Sequence, residues 1–245
     1  MSHTILFLTT FWVILGLTMA DSFCPKAQSE TRYNSKCQGC PPKYNGTLCA
    51  SSTHFGSDDR HIGTSSACEC TYSNKINGIY TTAVNKKMLE PLDQRSERCE
   101  SNCGLCFKLC PTGGCPQNNP IPNPRTMKCI DVMVIDQCND PGWCGQEMSP
   151  WECVENPKKC ETEVRNTNKY GYPAHFDLHD YHGQVKLGLG WENIELTFEE
   201  IECPSSHKEA MMEHCYCNKF AKFPKFEKVT WSKEYLSKNK NKPDL

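Results

Sequence analysis

Nineteen cysteines in a chain of 245 residues constrain this protein more than any other feature of its sequence. All of them fall between Cys24 and Cys217, and none lies in the first twenty residues. Cysteine at this density is expected only where disulfides form and persist. An odd number also leaves at least one thiol free or joined to another chain. The cysteine-free opening fits the same address. Ile5 to Leu17 is an apolar run broken only by Thr and Gly, and Thr18-Met19-Ala20 sets small residues at the −3 and −1 positions before Asp21. This layout predicts a signal peptide over residues 1–20, because a spanning helix needs about 20 apolar residues. No later stretch is long or apolar enough to span. The expectation is a secreted protein with no membrane contact after cleavage. In that compartment Asn45-Gly46-Thr47 is a glycosylation sequon.

A net charge of −2 gives no reason to expect nucleic acid or an anionic membrane as partner. Three zones follow the predicted leader. Residues 21–50 are poor in aliphatics and carry Cys24, Cys37, Cys40 and Cys49, a stapled lead-in too small for a core of its own. Residues 51–217 hold nearly all the strand-like runs. Residues 218–245 are Lys-rich and read as a flexible tail. Within the middle zone, Ala83, Val84, Lys87 and Met88 sit at helical spacing and predict a short helix over 80–89. The β-branched run Cys129 to Asp136 predicts a buried strand, and Ile194 to Ile201 a second one. Residues 116–124 and 140–172 read as loops. Short strands, one or two helices and many Gly/Pro turns suggest a small β-barrel.

Metal chemistry is a weak reading of the sequence. Cys37-x2-Cys40 and Cys103-x2-Cys106 have zinc-knuckle spacing, but in an oxidising compartment they are expected to be disulfide halves. His175, His179 and His182 alternate with Phe176, Leu178 and Tyr181 in a strand-like way, and no metal or organic cofactor is expected. Acidic residues beside apolar ones carry more. In a strand, Phe176 and Leu178 would face one side and Asp177 the other. A carboxyl on a groove wall beside apolar neighbours has its pKa raised by desolvation and keeps a proton near neutral pH. Asp136 ends an apolar strand, and Asp58 and Asp59 lie in a Gly/Ser-rich loop after Phe55. Two carboxyls facing across a groove are what glycoside hydrolysis requires.

The order of motifs supplies a resemblance. Ala67-Cys68-Glu69-Cys70, Asn77-Gly78-Ile79-Tyr80-Thr81-Thr82-Ala83 and Cys99-x3-Cys103-Gly104-Leu105-Cys106-Phe107 come first. Val132-Met133-Val134-Ile135-Asp136-Gln137-Cys138 and Trp143-Cys144 follow. Tyr170-Gly171-Tyr172-Pro173-Ala174-His175-Phe176-Asp177-Leu178, Phe198 to Pro204 and Cys215-Tyr216-Cys217 complete the series. In this order across residues 51–217 they resemble glycoside hydrolase family 45, small inverting endoglucanases, and more distantly the expansins. The resemblance implies a mostly β fold: a six-stranded double-psi β-barrel with short helices and long disulfide-linked loops.

It also implies a secreted, monomeric endo-β-1,4-glucanase whose partner is a β-glucan. Asp177 would be the general acid, Asp58 or else Asp59 the general base, and Asp136 a neighbour that helps Asp177 hold its proton. Phe55, Tyr72, Trp143 and His175 would contact sugar. The sequence departs from the family at the base. Ser52-Thr53-His54-Phe55-Gly56-Ser57-Asp58-Asp59 only loosely matches the family's TTRYYD, with His54 in place of Arg. An expansin-like protein that loosens glucan without cutting it is therefore the alternative. The segment 149–169, with Cys153 and Cys160, is longer than the family pattern and could reshape the cleft.

Overall fold

The computed structural model describes residues 35–56, 66–68, 70, 79–90, 102–116, 124–162 and 165–215. The predicted leader, Asp58, Asp59, Tyr72 and the tail lie outside the described residues.

Among the described residues, seven strands and four short α-helices follow in chain order: β1 (Lys43–Tyr44), β2 (Thr47–Phe55), β3 (Tyr80–Asn85), α1 (Lys86–Leu89), β4 (Cys106–Pro111) and β5 (Ile130–Cys138), then α2 (Pro150–Glu155), α3 (Pro157–Thr162), β6 (His175–His179), β7 (Ile194–Ile201) and α4 (Ser205–His214). The sheet runs β1-β2-β6-β3-β5-β4-β7, and a further β2–β7 pairing closes it. Six strands therefore form a mixed barrel, with β1 appended to β2 as a hairpin. The β2–β6 and β3–β5 pairs are parallel and the other ladders antiparallel. Closure leaves the six barrel strands no free edge.

The pleat sorts side chains between two layers. Inward, Phe107, Phe176 and Phe198 pack with centroids 5.3–6.1 Å apart, together with Val84, Leu109, Val132, Val134, Leu178 and Leu196. Outward, Ser51 stands opposite both Glu195 on β7 and His175 on β6. Glu195 is fully buried, yet its carboxylate accepts from Ser35 Oγ, Lys36 N, Thr112 Oγ1 and Tyr172 OH. A buried charge is tolerable when its acceptor capacity is filled in this way. Two of those four donors come from the lead-in, which Cys37–Cys49 also ties to β2.

Seven disulfides are described, and they span separations from 6 (Cys138–Cys144) to 145 (Cys70–Cys215). The two Cys-x2-Cys pairs are disulfide halves with partners elsewhere: Cys37 to Cys49, Cys103 to Cys68 and Cys106 to Cys203, with Cys40 also bonded. Cys115 is a free thiol, half-buried and with its pKa pushed up by burial and by the nearby Glu195.

Two sequence expectations are corrected. The predicted helix over 80–89 is helical only from Lys86; Tyr80–Asn85 is strand β3. β3 lies between β5 and β6 and hydrogen-bonds both, which favours extended Thr81, Thr82 and Val84 over local helical spacing. The expected loop 140–172 contains α2 and α3. Ser149 begins α2 with a capping box: its hydroxyl accepts from Glu152 N (3.2 Å) while Glu152 Oε2 accepts from Ser149 N (2.7 Å), and Pro150 takes the first helical position. Cys153–Cys160 then bridges α2 to α3. Among the described residues no helix is long and apolar enough to cross a membrane.

Candidate active site

A cleft of about 340 Å³ opens on the outer face of the barrel wall, lined by Thr53, His54, Cys138, Asp140, Trp143, His175, Asp177, Glu192 and Asn193. Its floor comes from three strands and its rim from two loops. On β6 the alternation read from the sequence holds: Phe176 and Leu178 enter the core while His175 and Asp177 line the cleft. β2 runs parallel beside β6, with Thr53 opposite Asp177.

Burial raises the Asp177 pKa to about 6, against the lowering effect of a hydrogen bond from Thr53; the charges of Asp140 and Asp136 push it further up. The carboxyl therefore keeps a proton well above the ordinary carboxylate range. Thr53 Oγ1 donates to Asp177 Oδ1 at 2.6 Å. Having spent its one proton there, the hydroxyl accepts from His175 Nε2 at 3.0 Å. His175 is fully buried and its pKa is driven down to about 3 by desolvation, so it is neutral, with its proton on Nε2. Nδ1 then accepts from Ser51 Oγ at 2.8 Å, and Ser51 Oγ accepts from Asn168 Nδ2 at 2.7 Å. Every member of this chain has one consistent role, and it ends on one oxygen of Asp177. His175, expected to touch sugar, has both ring nitrogens engaged within the wall.

The loop after β5 is built on Asp140. Its Oδ1 accepts from Gly142 N (2.7 Å) and Trp143 N (3.1 Å), an Asx turn, and Cys138–Cys144 closes the loop at its base. Trp143 lies 4.2 Å from the Tyr170 ring and 5.0 Å from the His175 ring, centroid to centroid. Lys169 Nζ stands 4.7 Å from the centre of the Tyr170 ring. Asn168 organises the second loop, where its Oδ1 accepts from Tyr170 N and Tyr172 N, both at 3.0 Å.

Asp136 on β5 and Asp177 on β6 both stand opposite Ala83 of the intervening β3. Two strand spacings separate them, about 9.5 Å between Cα atoms. Asp136 Oδ1 accepts from Ala67 N (2.6 Å) and Gln137 N (2.8 Å). Phe55 ends β2 opposite His179, its ring 5.4 Å from the imidazole. Asn45 is exposed at the tip of the β1–β2 hairpin in a left-handed conformation, away from the cleft end of β2. Of the three histidines with ligand-like spacing, His175 and His179 lie on β6 and His182 in the turn beyond it. Cys138, Cys144 and His175 come close enough to suggest a metal, but the two sulfurs are bonded to each other.

Sequence reasoning missed Asp140, Glu192, Asn193 and the partners Ser51 and Asn168. Only Asp140 carried a local signal, since Asp-Pro-Gly between two cysteines reads as a turn.

The fold and cleft have counterparts among known proteins. Residues 50–209 match the family model described as EXPB1-like domain 1. The chain is 30% identical over 203 residues to an endoglucanase of Mytilus edulis, covering 75% of this chain and 98% of that one. It is 27% identical over 150 residues to endoglucanase-5 of Hypocrea jecorina, covering 58% and 53% of the two chains. Among solved structures it resembles the family 45 endoglucanase EG27II in complex with cellobiose, at 29% identity and a TM-score of 0.59, over 76% of this chain and 98% of that one. It also resembles the β-1,4-endoglucanase of the blue mussel, at 28% identity and a TM-score of 0.58, over 75% and 99%. The barrel, the order of its motifs and near-complete coverage of the Mytilus edulis endoglucanase and of the two solved structures place the chain in glycoside hydrolase family 45, as an enzyme of the cellulase type.

Proposed function

We propose that this enzyme is a secreted endo-β-1,4-glucanase that cuts glucan with inversion at the anomeric carbon. The observation that carries the reading is Asp177: a carboxyl on an open cleft whose pKa of about 6 leaves it protonated in mildly acidic solution. In that state it protonates the leaving glycosidic oxygen. Thr53 holds Oδ1, so the acidic proton belongs on Oδ2. Asp136 and Asp140 supply the negative field that favours the protonated form. Asp58 or Asp59 acts as general base and activates water from the opposite face of the sugar. In sequence they follow Phe55, the last residue of the strand that carries Thr53, by three and four positions. Trp143, Phe55 and Tyr72 are the sugar-contact candidates.

The solved EG27II complex holds cellobiose, which supports a β-glucan substrate for this relative of it. The disulfides support an oxidising, extracellular setting, with residues 1–20 as leader, 21–50 as lead-in, 51–217 as catalytic domain and 218–245 as tail. The exposed hairpin tip suits a glycan at Asn45. We take the enzyme to act as a monomer.

The test is release of reducing ends and loss of viscosity on carboxymethylcellulose, lichenan and glucomannan, with the anomer of the first product read by NMR. Activity lost in Asp177→Asn, and an inverted first product, are expected. Glucan binding without reducing-end release would instead mean the expansin-like alternative, which the likeness to endoglucanases does not favour.

A further inference from the structure

Asn85 ends β3 with a fully buried side chain that has no hydrogen-bond partner on either its carbonyl oxygen or its amide nitrogen. The residue occupies the N-cap of α1, where Asn ordinarily turns its oxygen to a first-turn N–H, yet it makes no such bond. The pleat directs the side chain to the outer layer instead. Its register partner is Cys138, and one step past the Val84–Phe176 pair the antiparallel ladder sets it beside His175. Cys138 and His175 both line the cleft. By register Asn85 therefore stands between two residues of the cleft wall, and its partner Cys138 packs with Ala83, Cys144 and Trp143. Gln146, two residues past Cys144 on the segment that follows Trp143, carries another buried atom without a partner. Its Nε2 is spent on the carbonyls of Trp143 and Tyr172 and its Oε1 has no partner.

Buried amides in folded proteins are almost always satisfied, by protein or by water. Asn85 needs a group that donates and accepts at once, and its side chain is closed off from bulk solvent. We propose that Asn85 holds one internal water, which donates to Oδ1 and accepts from Nδ2. Internal waters make about three hydrogen bonds, and Gln146 Oε1 is the third partner. The water ties β3 to the loop that carries Asp140 and Trp143, and so sets how deeply Trp143 enters the cleft. Asn85 is on this account a positioning residue for substrate binding.

Crystal structures of the enzyme alone and with cellobiose test the site without reference to the reaction. An ordered oxygen within about 3.2 Å of both Asn85 atoms is expected in each. Asn85→Leu keeps the volume and removes both polar groups. It should lose that oxygen and raise KM on the order of fivefold, one hydrogen bond's worth, with kcat and the pH limbs unchanged. The proposal fails if the free enzyme shows no such oxygen, or if a sugar hydroxyl replaces it in the complex. It fails equally if Asn85→Leu leaves KM where it was.

Discussion

Thr53 Oγ1 reaches across the parallel β2–β6 ladder and donates a 2.6 Å hydrogen bond to Asp177 Oδ1. Two opposed influences meet at this contact. Burial favours the protonated acid, and the hydroxyl favours the carboxylate. Removing the hydroxyl leaves burial unopposed. Thr53→Val should therefore move the basic limb of kcat/KM upward from near pH 6, by about one unit. A limb that stays in place would separate Thr53 from the acid's titration.

Asp140 acts on the same carboxyl through its charge. Asp140→Asn keeps an oxygen that accepts from Gly142 N and Trp143 N, so the turn survives while the charge goes. The Asp177 pKa should fall and the basic limb should move down, opposite in sign to Thr53→Val. The paired pH–rate profiles check the sign directly.

Asp177 also makes a stability statement. Its folded pKa of about 6 lies above the ordinary 3.8. Between those values the unfolded chain loses a proton that the folded chain keeps. The stabilisation is complete below the lower value and is lost as pH rises through the folded pKa. Asp177→Asn removes the titration. It should abolish turnover and raise stability at pH 7 by on the order of 2 kcal/mol, with the advantage gone below pH 4. Denaturant midpoints at the two pH values measure it.

The disulfides divide by span. Cys106–Cys203 closes 97 residues and Cys138–Cys144 only 6. The chain-entropy relation assigns about 4.7 and about 2 kcal/mol to such loops. Replacing the long bridge with Ala–Ala should lower the thermal midpoint more. Replacing Cys138 and Cys144 with Ser should cost less stability and more activity, because that bridge anchors the loop of Asp140 and Trp143 beside the cleft. Calorimetry and reducing-end assays on the two double variants should rank oppositely.

Much of the architecture is written locally in the chain. β5 and β7 follow from their β-branched runs, and the Phe-Asp-Leu alternation of β6 puts Asp177 on the face opposite the core. The cysteine count implies a disulfide framework, and the ordered motifs lead to the barrel. β3 was hidden because Ala83, Val84, Lys87 and Met88 mimic a helical face, and only pairing with β5 and β6 on either side makes Tyr80–Asn85 extended. The capping box that begins α2 is legible in the run from Ser149 to Glu152. What no local pattern holds is the register between distant strands. Thr53 meets Asp177 across 124 residues of chain, and Asn168 meets Ser51 across 117. Sequence determines which side chains can donate, accept or titrate. Barrel closure decides which of them meet and how dry the meeting place is, and that burial is what turns an ordinary aspartate into an acid that keeps its proton near pH 6.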